Sequence, residues 1–253
     1  MKTFSSVRGH TILNQPLTDK APVVIDLGAN HGAFSREIQK QFGGEFFLVE
    51  ANPVLAEALG KEQWQVWNCA VSDTDGEIAF HVAENDESSS VLQTDEVISG
   101  IHSATTVSVS SRRLAGLLDE ISRPTIDLLK IDIEGMEGPV LMGLPPRILK
   151  NIAQITVEFH CDERFGYQLR DDVGRTIAYL RGHGFSYVNF SGTTLMDVLF
   201  INRDLLKIPA YKARLWEILG TRPLWLKNLK CVIPLPLRDL LNFLVDQLVG
   251  RGK

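Results

Sequence analysis

Apolar runs of strand length alternate with helix-length segments along most of the chain. Val23–Leu27, Phe46–Glu50, Val66–Ala70, Leu128–Ile133, Ile155–Phe159, Tyr187–Phe190 and Val198–Ile201 predict strands. Ala33–Gln41, Pro53–Leu59, Leu114–Ile121, Pro139–Leu149 and Val173–His183 predict helices, with Pro53 at a first helical position and Gly182 and Gly184 at a helix end. This alternation predicts an α/β fold, a parallel sheet with helices on both faces. The strands are apolar on both sides, as doubly covered strands are. Glu77–Val82 breaks the pattern with strict alternation and pairs with Thr106–Ser110 as an extra strand. Residues 83–105 between them are polar and rich in Ser, Asp and Glu, a length of loop that is usually functional or mobile.

Composition adds bounds rather than an answer. At 44% hydrophobic and 23% charged, the 253 residues suffice for one α/β domain with a sizeable core. The net charge of −5 gives no reason to expect a nucleic-acid partner. Cys69, Cys161 and Cys231 are far apart and odd in number, which fits a reducing, cytoplasmic setting. The first residues lack the apolar core of a signal peptide, and no apolar run reaches the ~18 residues of a membrane span. Charge is uneven, however: residues 204–253 carry +5 and residues 1–203 carry −10. The expected organisation is an N-terminal extension over 1–20, a main domain over 21–203, and a basic, leucine-rich, helical tail over 204–253. In the tail, Leu241, Leu244 and Leu248 share a helical face. Either the tail packs on the acidic body or on a second subunit of a homodimer, or it docks peripherally on an anionic membrane.

The chemistry is concentrated at strand ends. Val23–Leu27 runs into a glycine turn, Gly28-Ala-Asn-His-Gly32, and twenty-two residues after Gly28 the lone acid Glu50 closes the next strand. A glycine turn followed by an acid at the neighbouring strand tip is how open parallel sheets hold a nucleoside, the acid accepting from ribose hydroxyls. A pyrophosphate cradle wants glycine two positions after the first, and that position is Asn30. The spacing therefore favours S-adenosylmethionine, which has no phosphate, over a nicotinamide dinucleotide. Asn30 and His31 fall beside the ligand by position alone. Asn68 to Asp73 closes the third strand, where it borders an adenine or, for Asp73, forms a turn before Gly76.

A second cluster follows in Asp127-Leu-Leu-Lys-Ile-Asp-Ile-Glu-Gly-Met-Glu137. Charges at Lys130, Asp132 and Glu134 in an otherwise apolar strand must pair or emerge at its carboxyl end, where ligands of open sheets bind. For Lys130 an internal ion pair with a glutamate is expected. Glu158 and His160 end the next strand and face the same crevice. Asp132, Glu158 and His160 are the candidates for taking a proton from an attacking hydroxyl. Asp132 and Glu158 also form an incomplete oxygen set for Mg2+. Ser88-Ser-Ser90 is either a hydroxyl-rich acceptor loop or a solvated linker.

In these segments the chain resembles the FkbM family of S-adenosylmethionine-dependent methyltransferases. Asp26-Leu-Gly-Ala-Asn-His-Gly-Ala-Phe-Ser35, Glu50-Ala-Asn-Pro53, Asn68-Cys-Ala-Val-Ser-Asp73 with Gly76, Ser88-Ser-Ser-Val-Leu92, the Lys130–Glu137 segment and the Glu158 strand come in family order over roughly residues 20–202. Where the family commonly has Leu-Asp before the Lys-Ile-Asp strand, Leu114 is followed here by Ala115. The resemblance implies a Rossmann-like class I methyltransferase sheet with an antiparallel last strand, and methyl transfer to hydroxyls of sugars, glycans or polyketides. The expected site then comprises Asp132, Glu158 and His160 for catalysis. Asp26, Gly28, Asn30, Gly32, Glu50, Asn68, Asp73 and Asp132 are expected around the cofactor, and Ser89, Ser90 and Glu134 toward the acceptor. A nicotinamide oxidoreductase, or an inactive glycan-binding or scaffold protein on the same fold, are the other classes this sequence allows.

Overall fold

A computed structural model describes residues 3–82, 105–161, 168–192 and 194–220. The strands are β1 (Phe4–Val7), β2 (His10–Leu13), β3 (Val23–Leu27), β4 (Glu45–Glu50), β5 (Gln65–Asn68), β6 (Ala70–Ser72), β7 (Gly76–Val82), β8 (Thr105–Arg113), β9 (Leu128–Ile131), β10 (Gln154–Val157), β11 (Phe185–Asn189) and β12 (Val198–Asn202). The helices are α1 (Gln15–Thr18), α2 (Ala33–Phe42), α3 (Pro53–Leu59), α4 (Leu114–Ile121), α5 (Glu137–Met142), α6 (Pro146–Leu149), α7 (Gln168–Gly182), α8 (Arg203–Leu206) and α9 (Ala210–Gly220). Seven strands form the central sheet in the order β11-β12-β10-β9-β3-β4-β5. β3, β4, β5, β9 and β10 run parallel, and β12 lies antiparallel to both β10 and β11. The expected mostly parallel sheet with one reversed last strand is thus the observed one.

Period-two alternation distributes the core. Ile25, Leu27, Phe47, Val49, Leu129, Ile131, Ile155 and Val157 face one side, where α4 to α7 supply Leu117, Leu141, Leu149 and Leu180. Val24, Phe46, Leu48 and Leu128 face the other side, against Phe34 and Ile38 of α2 and Ile12 of the N-terminal hairpin. Three elements depart from the expectation. The third predicted strand divides at Cys69, so that β5 ends the main sheet and β6 joins β8 and β7 in a separate three-stranded sheet. The helix expected over Pro139–Leu149 is two short ones, because Pro145 interrupts the ladder and restarts it at Pro146. Within the N-terminal extension, residues 4–13 form an antiparallel hairpin, which the apolar pattern did not predict, lying on the sheet. Its main chain is held there by Gln154, whose side chain bonds the Leu13 N–H and carbonyl at 2.7 and 2.9 Å, and by Asp197 on Thr11.

The beginning of the tail packs on the body. Trp216 of α9 is 3% exposed, and it meets Phe4 edge-on at 5.2 Å above Val188, Leu199 and Ile201. Glu217 takes Arg181 and Arg214 on its carboxylate. The expected leucine face of the tail, with Trp225 and Phe243, lies outside the described residues. No helix among the described residues is long and apolar enough to cross a membrane. Because Trp216 closes the edge of the sheet, Trp216→Ala is expected to cost about 3–5 kcal/mol. The check is a lower denaturant midpoint at unchanged slope; an unchanged midpoint would show that α9 does not dock.

Candidate active site

The site begins with a polar row buried in the sheet. Register pairs Asp26 of β3 with Lys130 of β9, and Lys130 with Thr156 of β10, so all three project from the same face. Lys130 is 4% exposed and reaches Asp26 Oδ1 at 3.2 Å, Asp132 Oδ2 at 3.4 Å, and the carbonyls of Leu27 and Gly28 at 3.2 and 2.7 Å. Its partners are therefore aspartates and backbone, not the glutamate expected from sequence. Burial opposes the ammonium, but the Asp26 and Asp132 carboxylates overcome that and hold its pKa above the usual lysine range. Asp26 is fully buried and also accepts from Ser35 Oγ at 2.7 Å. It therefore sits beneath the glycine turn, not against a ligand.

Two residues further along these strands, the chain opens. Gly28 has φ +71°, and a Cβ there would overlap the Asp132 carbonyl oxygen. Only glycine lets β3 and β9 leave the sheet this close together. Gly32 also has positive φ, but its missing side chain makes room for Leu59 and Trp64, each 2.8 Å from the position of a Cβ. Its role is packing rather than ligand contact. Glu50, 7% exposed, accepts from the Asn30 N–H at 2.7 Å and the Asn52 N–H at 2.8 Å. Burial raises its pKa, and those two amides partly counter the rise. Asn30 is left-handed at φ +50°. Together these residues help wall a cavity lined by Gly28, Asn30, Glu50, Asn52 and Leu55 and by Cys69, Ala70, Val71 and Phe80. Asp132, Ile133 and Glu134 also line it.

Besides Asp26 and Gly32, two more expected cofactor residues stand outside this wall. Asn68 is exposed and donates to the carbonyls of Glu50 and Ala51, pinning the turn that carries the acid. Asp73 is exposed in the turn beyond β6. The same segment lines the cavity through Cys69, Ala70 and Val71 instead, because the chain changes sheets there. Cys69 is buried and its thiol is pushed up to about 11. Ser89 and Ser90 lie outside the described residues.

At the far end of the cavity the second cluster assembles. Asp132 is 28% exposed at its side chain, with His160 Nε2 3.8 Å from Oδ1 and His10 Nε2 3.8 Å from Oδ2. Burial would raise Asp132, yet Lys130, with His10 and His160, holds it well below the usual carboxylate range. Asp132 is thus both in an ion pair and in the crevice, two placements that sequence set against each other. Glu134, left-handed at φ +55°, comes within 3.4 Å of His160 Nε2, and Glu158 within 3.9 Å. Burial and the neighbouring carboxylates push Glu134 up to about 7 against the pull of His160. Glu158 is raised by burial and by Asp132.

His160 differs most from its expected role. Burial would lower it, but the 2.8 Å bond from Nδ1 to Glu137, with Glu134 and Asp132 beyond, pushes it up to about 10. The carboxylates around it favour the protonated ring, and an imidazolium has no lone pair for an incoming proton, so this setting weighs against the role of base. Glu137 is 2% exposed and accepts from Ile133 and Gly135 N–H as well as from His160, tying the turn after β9 to the end of β10. Glu137 and His10 were missed from sequence. The available signal was Gln154, Thr156, Glu158 and His160, polar at every second position of an apolar strand. Such a row needs a polar cover, and the hairpin carrying His10 provides it.

A seven-stranded sheet of this order with its last strand reversed, opening at its carboxyl edge onto a glycine turn and an acid, is the class I methyltransferase arrangement. The chain belongs to the methyltransferase FkbM domain family, whose model matches residues 26–187. It is 28% identical over 158 residues to the 2-O-methyltransferase NoeI of Sinorhizobium fredii (strain NBRC 101917 / NGR234), covering 56% of this chain and 65% of that protein. It is 33% identical over 97 residues to the 31-O-demethyl-FK506 methyltransferase FkbM of Streptomyces tacrolimicus, covering 36% of this chain and 35% of that protein.

Gly28→Ala is expected to cost about 1–2 kcal/mol for the left-handed backbone and about 1–3 more for the overlap with Asp132. Gly116→Ala in α4, where a Cβ meets nothing within 4 Å, is expected to stabilise by roughly 1 kcal/mol. Parallel denaturation of the two variants checks the contrast; equal effects would remove the close-approach account of the turn.

Proposed function

We propose that this protein transfers the methyl group of S-adenosylmethionine to a hydroxyl of a sugar, glycan or polyketide-like acceptor. The observation that carries this reading is the continuity of one cavity from Glu50 to Asp132 and Glu134. S-adenosylmethionine supplies, when bound, a methyl group on an already cationic sulfur. The residues fit it. Glu50 spends one lone pair of each oxygen on Asn30 and Asn52 and keeps others for ribose hydroxyls. Leu55, Val71 and Phe80 offer apolar walls to a base, and Gly28 offers bare backbone. Asp132 and Glu134 present carboxyl groups suited to a cationic ligand. Asp26, Gly32 and Asn68 act from behind, by holding Lys130, α3 and the Glu50 turn.

The protein's task is alignment, which supplies about 7–11 kcal/mol when reacting atoms are held in line. Accepting the hydroxyl proton is worth typically ~10²–10⁴-fold. With His160 held toward its protonated form, that proton passes to the carboxyl cluster, where Glu134 and Glu158, raised by burial, are stronger bases than Asp132. The names of the two relatives support a hydroxyl acceptor, since both describe O-methylation. The crevice supports a polar one, because carboxylates accept hydrogen bonds from several hydroxyls at once. A nicotinamide reading loses its basis in the family membership and in Asn30, which stands where a pyrophosphate needs glycine.

Calorimetric titration with S-adenosylmethionine, its demethylated product and NAD tests the cofactor. Tight binding of the first two and none of NAD is expected. Glu50→Gln should weaken that binding by about 1–3 kcal/mol. Unchanged affinity in a folded variant would sink the ribose assignment. Glu158→Gln is expected to lower labelled-methyl transfer to a polyhydroxylated acceptor by ~10²–10⁴-fold, with the product affinity retained.

A further inference from the structure

Two histidines flank Asp132, and the mechanism above uses only one. His10 comes from β2, far from the other site residues in sequence, and it is 2% exposed. Its position is fixed from several sides. Gln154 and Asp197 clamp the hairpin backbone at Leu13 and Thr11, and the ring stands edge-on to Phe34 at 5.5 Å. Nδ1 faces the Thr156 hydroxyl at 3.5 Å, which directs Nε2 toward Asp132. At 3.8 Å from Oδ2, Nε2 is too far for a hydrogen bond. Glu158 Oε enters from the neighbouring strand tip, and one donor atom from each of His10, Asp132 and Glu158 lies within 4.8 Å of the other two.

We propose that His10, Asp132 and Glu158 form a binding site for one divalent first-row transition-metal ion at the mouth of the crevice. The gap between Nε2 and Oδ2 is one that an ion bound at about 2.1 Å to each donor fills, with small rotations of the carboxylates. One imidazole nitrogen with two carboxylate oxygens suits Mn2+ or its neighbours, whereas Mg2+ takes oxygen alone. The two-carboxylate Mg2+ set expected from sequence therefore gains a nitrogen ligand and changes its metal preference. The rigid clamp on His10 is what a metal site requires, since outer partners must fix the ring that presents its nitrogen. Charge allows it. Asp26, Asp132, Glu134, Glu137 and Glu158 converge on Lys130 and His160, and Lys130 is independently held by Asp26 and two carbonyls. A metal here leaves Glu134 as the carboxyl group nearest the cavity, and an acceptor hydroxyl on the ion would ionise more easily. That consequence rests on the methyltransferase reading; ion binding itself does not.

The test uses the full chain, stripped with a chelator and titrated with Mn2+ alone while free Mn2+ is followed by electron paramagnetic resonance. One equivalent should bind, and pulsed spectra of the complex should show coupling to an imidazole nitrogen. His10→Ala should abolish the nitrogen coupling and weaken Mn2+ binding at least tenfold. Glu158→Gln should weaken it as much while keeping the coupling. Binding of the demethylated cofactor product should stay within twofold in both variants, which also reports an intact fold. The proposal is overturned if the wild type shows no saturable Mn2+ binding, or if the coupling persists in His10→Ala. Should His10→Ala fail to fold, unchanged Mn2+ affinity in Glu158→Gln overturns it. Mn2+ binding by a chain that does not bind the cofactor product would uphold the metal site and reject the methyltransferase reading instead.

Discussion

The Lys130 ammonium is the interaction on which the rest of this site depends. A buried cation is tolerable only if its partners are close, and Lys130 has two carboxylates and two carbonyls within 3.4 Å. Those partners belong to the end of β3 with its glycine turn and to the tip of β9. One side chain therefore fastens together the two chain exits between which the cavity opens. Removing either Asp26 or Asp132 would leave a buried charge short of a partner, so the turn, the strand tip and the crevice are coupled.

Around that fastening the site is layered by the pleat of the sheet. Asp26, Lys130 and Thr156 form an inner row that is structural. Gly28, Asp132 and Glu158, two residues further along the same strands, form an outer row at the edge of the crevice. The step of two residues is the period at which side chains return to the same face. The same period explains why Gln154 holds the hairpin, Thr156 faces His10, and Glu158 opens to the crevice. The hairpin is thus a cover that a polar strand face requires, and it delivers a histidine in doing so.

Glutamates do the corresponding work at the two ends of the cavity, with opposite outcomes. Glu50 organises backbone amides of Asn30 and Asn52 while still lining the cavity. Glu137 organises those of Ile133 and Gly135 but is sealed from it, and instead holds His160 as a cation. A carboxylate that accepts from turn amides fixes a loop in either case; whether it also lines the cavity depends on which way the loop faces.

Much of this was legible in the residue order alone. Local patterns determined the strands of the central sheet, its main flanking helices, the glycine turn, Glu50 at the second strand tip and Asp132 and Glu158 at theirs, because period, glycine placement and charge in an apolar strand are properties of short segments. The tertiary structure alone decided which charges pair. Lys130 chose Asp26 and Asp132 because sheet register, not chain proximity, sets its neighbours. It also decided that Gly32 packs while Gly28 exposes backbone, since that depends on what stands opposite each Cβ. It gave His160, one of three candidates for the base, a buried carboxylate partner, because Glu137 reaches it through a turn whose shape no spacing reveals. And it brought His10 beside Asp132 across more than a hundred residues, since only the need to cover a polar sheet face, met by a distant hairpin, puts them together.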